Sequence, residues 1–377
     1  MKFFFKIIGY ILLAMILVAS GMFLFAWYKL SHQPDTHNLQ DRVSKVCNNY
    51  MKMSKSPGLA VGIIQGNKMY IECFGYQDRS TKVPVDSTTI FEIGSITKVF
   101  TAEIGQILVD RGVIDWKQTI YKVLPDNQAP SLDDGTRLFN LATHTSGYPR
   151  LPKFFLDSMV DPCDPYPGIS EFDYWSYVRS PKEKEKPSVW AYEYSNVGFS
   201  VLGDVLEYKS KREYEVLLQE EICKPLLMKN TNLLITDSLR FATGYDEDGL
   251  KTCHWNFPVM YACGAIRSNL SDMMKFLNAQ LRVSDNVSKS FAKTHTESVS
   301  FAFGGIGKAW NIDSFSARLT GSGDLIWHNG GTGGFSSYIG FLPEKQTGIV
   351  VLTNQYNPEI DRIALKMLLD AGKVSFE

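Results

Sequence analysis

Strand-like runs stand at both ends of this 377-residue chain, with mostly helix and loop between them. Near the start, "GLAVGII" (58–64) and "KMYIECFGY" (68–76) flank Gly66 and Asn67, a hairpin signal. Past residue 300 the pattern returns in "DLIWH", "FSSYIGFL" and "GIVVLTN", the last two joined by "PEKQT", before a helical stretch near 358–371. Residues 113–280 read as helix and loop, with "SPKEKEKPS" (180–188) a solvated charge run. Strands at both ends with helices between imply one sheet closed by the two chain ends. The expectation is therefore an α/β (α+β) domain: an antiparallel sheet flanked by helices, built from both chain ends, with a helical subdomain inserted within about 113–280. No fixed-period repeat interrupts this scheme.

With 44% hydrophobic residues the chain can bury a sizeable core. Its 39 basic and 40 acidic side chains leave a net charge of -1, so there is no electrostatic footprint for nucleic acid, and none is expected as a partner.

The N-terminus is the compositional exception. Lys2 and Lys6 precede a run from Ile7 to Trp27 that contains no charge, and about 20 apolar residues span a bilayer core as a helix. A cleaved signal peptide has a shorter apolar region; Val18, Ala19 and Ser20 could imitate its cleavage site, but the hydrophobicity continues through Phe25, Ala26 and Trp27. We expect a retained membrane anchor over residues 1–30, a polar stalk over 31–45 and the main domain over 46–377. Lys2 and Lys6 put that domain on the non-cytoplasmic side, with Trp27 and Tyr28 at the outer interface, although Lys29 counts the other way.

Six cysteines (Cys47, Cys73, Cys163, Cys223, Cys253 and Cys263) form no C-x-x-C pair and no metal-ligand spacing with the six histidines, so no metal and no cofactor are expected. Buried free thiols are the plain reading. An exported domain could oxidise one pair, which spacing does not identify.

Chemistry concentrates in three stretches. In "FEIGSITKVFTA" (91–102), Phe100, Ile104, Ile107 and Leu108 mark an amphipathic helix that stops at Gly112. Ser95 and Lys98 then share its first turn and one face, where bare N–H groups suit an oxyanion. A serine hydroxyl needs a base to take its proton, and a lysine among Ile96, Val99 and Phe100 is placed for desolvation to favour its neutral amine. Alone this spacing is weak, since serine commonly starts helices. "YEYSNVGFSVLGDVLE" (192–207) carries Tyr194 and Asn196 just before another helix, a phenol and an amide that could relay a proton and hold a carbonyl. By itself Tyr194 reads more simply as a core residue. "DLIWHNGGTGGFSSY" (324–338) ends a strand in His328, Asn329, Gly330 and Gly331, where glycines let a strand edge approach a ligand or merely form a hairpin. No G-K-[ST] comes after it, so it is not a phosphate loop.

Together and in this order, the three stretches resemble the serine β-lactamase and penicillin-binding-protein superfamily, in its branch of class C β-lactamases, D-alanyl-D-alanine carboxypeptidases and related esterases, whose pattern is S-x-x-K, Y-x-N and [KH]-x-G. The likeness extends over about residues 45–355 and includes "LATHTSGYP", "KPLLMKNTNL", "CGAIRSNLSDMMKFL" and "GFLPEKQTGIVVLTN". It implies a β-lactamase/transpeptidase-like fold and a serine hydrolase acting through an acyl-enzyme on an ester or peptide-like amide, with a small-molecule or peptide substrate. It implies Ser95 as nucleophile, Lys98 as general base and Tyr194 as proton relay. Asn196, His328 and Gly330 would bind substrate, and the N–H groups of Ser95 and Gly331 would form the oxyanion hole. The likeness gives His144, in "THTSG", a structural role only. An alternative is a catalytically silent or slowly acylating ligand-binding or sensor protein on the same fold. The joint presence of Lys98, Tyr194 and Asn196 argues against it.

One departure concerns specificity. Where lactamases usually carry lysine then threonine, this chain has His328 and Asn329, although histidine also occurs there in peptidase and esterase members. If the imidazole faces the substrate's far end, it should favour carboxylates when protonated and lose that preference as pH rises through about 6.5.

Overall fold

The hairpin forms as predicted: β1 (Gly58–Gln65) pairs antiparallel with β2 (Lys68–Gly75), and Gln65 lies opposite Lys68 across the Gly66–Asn67 turn. The computed structural model describes residues 20–21, 38–180, 184–186, 188, 191–234, 237–302, 304–314, 321–374 and 376. Two short strands, β3 (Ile90–Glu92) and β4 (Arg267–Asn269), pair with each other outside the main sheet. The C-terminal part supplies β5 (Val299–Phe301), β6 (Gly304–Ile306), β7 (Asn311–Asp313), β8 (Leu325–Gly331), β9 (Ser336–Leu342) and β10 (Thr347–Thr353). Among the described residues the main sheet has eight strands in the order β2-β1-β10-β9-β8-β7-β6-β5. Its pairings are antiparallel throughout, and β1 on β10 closes the chain's two ends onto each other. Sequence patterning does not anticipate β3 to β7, each three residues long and too short to alternate visibly.

Strand periodicity divides the core in two. Leu59, Val61 and Ile63 of β1, with Ile349 and Val351 of β10, face α1 (Leu39–Ser54). The intervening Ala60 and Ile64, with Val350 and Leu352, face a larger core. To that core α2 (Thr97–Asp110), α3 (Asn196–Ser210) and α4 (Leu270–Leu281) contribute their apolar residues. The last helix, α5 (Glu359–Ala371), lies with α1 on the first face through Ile360, Ala364 and Leu368.

α1 changes the expected domain boundary. Asn38 caps it by accepting the Gln40 N–H at 2.8 Å, and Leu39, Val43, Cys47 and Tyr50 recur at helical spacing and are buried. Leu39 and Val43 each contribute about 1.5–3 kcal/mol by leaving water. The packed domain thus starts by Asn38 and not at 46, because the polar stretch that reads as a stalk runs into an amphipathic helix whose first buried residue is Leu39. The expected anchor lies, apart from Ser20 and Gly21, outside the described residues. Among the described residues no helix is long and apolar enough to cross a membrane.

One cysteine pair is oxidised. Cys163 and Cys253 form a disulfide with a Cα–Cα distance of 5.4 Å, while Cys47, Cys223 and Cys263 are buried free thiols and Cys73 is half-buried. The bridge joins positions 90 residues apart. A Cys163→Ser/Cys253→Ser double variant is therefore expected to lose about 2–5 kcal/mol of unfolding free energy, read by denaturant titration; an unchanged midpoint would show that the bridge adds no stability.

Candidate active site

Two glycines bring the serine to the strand edge. β3 ends at Glu92, and after Ile93 a single 3-10 turn (Gly94–Ile96) leads into α2, so Ser95 sits where the helix begins. Gly94 has φ +50°, and a Cβ there would lie 2.7 Å from the Gly331 nitrogen. A Cβ on Gly330 would lie 2.0 Å from the Ile93 carbonyl oxygen, which also accepts from Ser337 Oγ at 2.8 Å. Only glycine permits this approach of the serine turn to the end of β8. The contacts are with backbone, which cannot yield cheaply. Gly330→Ala is expected to lower kcat/KM on an ester substrate about 100-fold by displacing the serine turn; a variant within threefold of wild type, on the order of assay scatter, would show that the close approach is not required.

Lys98 is fully buried on the first turn of α2, and its Nζ is 3.1 Å from Ser95 Oγ and 2.7 Å from the Cys263 carbonyl oxygen to which it donates. Among the described residues no carboxylate pairs with it. The Tyr194 ring lies over this amine at 4.8 Å. Tyr194 is itself fixed by its chain neighbour Ser195 and by the imidazole packed against its ring. Ser195 caps α3 by accepting the Gly198 N–H at 2.8 Å, and its own N–H donates to His144 Nδ1 at 2.9 Å. The His144 imidazole stacks on Tyr194 with ring centroids 4.5 Å apart. Because Nδ1 accepts, Nε2 carries the proton. Burial first, then the nearby Lys98 and His328, push this imidazole well below its ordinary pKa, so it is a neutral platform for the tyrosine. Asn196 opens α3; its N–H donates to the Arg150 carbonyl, and its Oδ1 is buried with no partner among the described residues.

The strand end behaves differently from expectation at one position. His328 is 2% exposed, and its Nδ1–H donates to the Asn329 carbonyl at 2.6 Å. Burial, reinforced by Lys98, pushes its pKa from 6.5 down to about 3. The imidazole is thus neutral near pH 6.5, and the expected charge reading at that pH is corrected by its desolvation. With the folded pKa below the unfolded value, His328 leaves stability intact above about 6.5 and reduces it as pH falls from there toward about 3. Gly331 ends β8 opposite Ser336.

A cleft of about 520 Å³ opens over Ser95 and Tyr194 and is also lined by Arg150, Trp255, Tyr356 and Asp361. Sequence reasoning missed these four. Arg150 comes directly after the "THTSGYP" segment, a placement that could have flagged it; the others lie in stretches without a motif. Trp255 is fixed from several sides: its N–H donates to Glu92 Oε1 at 3.0 Å and its Nε1–H to the carbonyl of the disulfide residue Cys163 at 3.1 Å.

A serine at a helix start, a buried amine one turn on and a tyrosine packed over it, set at the edge of an antiparallel sheet, define the class: a serine hydrolase. The chain belongs to the Beta-lactamase family, whose profile matches residues 43–372. It is 26% identical over 359 residues to a Beta-lactamase of Escherichia coli K12, covering 86% of this chain and 91% of that protein. It is 27% identical over 329 residues to the D-alanyl-D-alanine-carboxypeptidase/endopeptidase AmpH of the same organism, covering 84% of each. The fold matches a Beta-Lactamase/D-Alanine Carboxypeptidase from Pseudomonas syringae with a TM-score of 0.76 at 21% identity, over 88% of this chain and 98% of that one. A class C beta-lactamase mutant superposes with a TM-score of 0.77 at 22% identity, over 90% and 99%.

Proposed function

We propose that the protein hydrolyses an ester or a peptide-like amide through an acyl-enzyme on Ser95. The 3.1 Å contact between the fully buried Lys98 amine and Ser95 Oγ carries the reading. Ser95 Oγ attacks the substrate carbonyl carbon while Lys98 takes its proton. The resulting alkoxide is held by the N–H groups of Ser95 and Gly331. Collapse expels the leaving group, protonated through Tyr194, and leaves an ester on Ser95; a water then attacks that ester, and the same groups return the protons as acid is released. Asn196 orients the substrate amide, consistent with its unpartnered buried Oδ1, and Gly330 with its neighbours lines the strand on which substrate lies. His328 contributes as a neutral packing group behind that strand. Turnover of the isolated domain on neutral esters, D-amino-acid peptides and β-lactams tests the reading. Hydrolysis of at least the esters is expected; no turnover of any class would overturn it.

The same proposal includes a single-pass anchor over residues 1–30, with the catalytic domain on the non-cytoplasmic side. The uncharged run from Ile7 to Trp27 supports it, as does the Cys163–Cys253 disulfide, which persists best in an oxidising compartment. Sequencing the N-terminus of the mature protein decides the anchor: retention of residues 7–27 is expected, whereas a start near Gly21 or Trp27 would mean cleavage.

A further inference from the structure

Two charged side chains line the cleft without a part in the acyl transfer, Arg150 and Asp361. They contact different partners. The Arg150 guanidinium lies 5.5 Å from the Tyr194 ring centroid. Asp361, in the first turn of α5, accepts a 2.6 Å hydrogen bond from Asn329 Nδ2 on β8. This is the strand position where lactamases usually place a hydroxyl next to a lysine. Here the neighbouring His328 is buried and neutral, and the Asn329 amide is committed to an acid.

Asp361 is more than a helix-start residue. An acid in a first turn suits the helix dipole, but Glu359 already meets that need at the surface, where it pairs with Arg362 at 2.6 Å. Among the described residues Asp361 has no ion pair with Lys or Arg. Burial against this bond raises its pKa from 3.8 to about 6, the sign of a carboxylate drawn out of water without a cation to offset the loss. The Tyr356 ring lines the same cleft at the strand end, 3.1 Å from where a Gly331 Cβ would be, and Trp255 lines it too. A cleft lined by a carboxylate and by aromatic rings can recognise a cation through charge and through the ring faces.

We propose that the Asn329–Asp361 wall selects substrates presenting a protonated amine and rejects those ending in a carboxylate there. This rests on the acyl-enzyme reading at Ser95. It reverses the charge preference that a lysine at position 328 would confer. A substrate carboxylate brought to this wall meets an unpaired anion in a partly desolvated cleft, whereas an ammonium group supplies the partner that Asp361 lacks.

The test uses aryl esters matched except for one terminal group: a primary ammonium, an acetamide or a carboxylate. One set carries it on the acyl side, a second on the leaving-group side. The quantity to follow is the ratio of kcat/KM for ammonium over carboxylate, in which a general loss of activity cancels. In one set the wild-type ratio is expected to reach about tenfold or more, and Asp361→Asn to reduce it at least about fivefold. A ratio near one in both sets, or one unmoved by Asp361→Asn, overturns the inference while leaving Ser95 chemistry intact. If Asp361→Asn does not fold, inhibition of wild-type ester turnover decides: benzylammonium should inhibit and benzoate should not, and the reverse order overturns the proposal. Failure to hydrolyse even the acetamide esters, with no fluorophosphonate adduct, would instead sink the Ser95 reading and this inference with it.

Discussion

Exposed to an aryl fluorophosphonate, the wild-type protein is expected to gain one covalent adduct, on Ser95, and Ser95→Ala none, with its kcat lower by about 10³-fold or more. Intact mass and then peptide mapping read both. Environment, not spacing, singles out this serine, and the chain contains its own control. Ser290 and Lys293 repeat the S-x-x-K spacing within one helix, but Lys293 is exposed and paired with Asp110 at 2.7 Å. Ser290 donates its hydroxyl to that same aspartate. Ser95 differs on each count: its amine partner is buried, no carboxylate among the described residues pairs with that amine, and the turn lies against Gly331 at a strand end. Labelling at Ser290, or equal labelling of Ser95→Ala, would show that burial of the lysine is not what activates the serine.

That control also marks how far the sequence could be read. The Ser95–Lys98 stretch stands out in the sequence because three separated motifs occur in order, each weak alone; Ser290 shows what one of them is worth. The sheet built from both chain ends was legible because β1, β2, β9 and β10 are seven or eight residues long, enough for their apolar character to stand out. The three-residue strands carry no such signal. α1 was hidden by its surroundings: its amphipathic face begins within a polar stretch, so composition averaged over the segment reads as a stalk. The sequence singles out the His328 position but not its charge state. Ionisation depends on burial, and tertiary folding buries His328 near Tyr194 and Lys98, which pattern does not report. The disulfide, Trp255, Arg150 and Asp361 are brought together by tertiary folding across some 200 residues of chain, and no local pattern predicts their meeting.

Replacing Lys98 and replacing the Tyr194 hydroxyl are expected to fail differently, and the difference assigns their roles. Lys98→Ala would confound base loss with a cavity and with the Cys263 carbonyl left unpaired, at about 1–3 kcal/mol for that acceptor alone. Lys98→Met keeps most of the volume, so it removes the amine without the cavity; the Cys263 carbonyl loses its donor in either variant. With no base 3.1 Å from its oxygen, Ser95 should lose both ester turnover and fluorophosphonate labelling, each by about 10²–10⁴-fold. Tyr194→Phe keeps the ring between His144 and the lysine amine, so Ser95 should still label. Fluoride leaves without a proton, whereas an alkoxide or amine does not. The tyrosine variant should therefore lose little on aryl esters, which have good leaving groups, and about 10²-fold or more on alkyl esters and amides. Plotting kcat/KM against leaving-group pKa would show this as a steeper slope in Tyr194→Phe than in wild type. Parallel slopes would remove Tyr194 from leaving-group protonation, and near-normal labelling of Lys98→Met would remove Lys98 as the base.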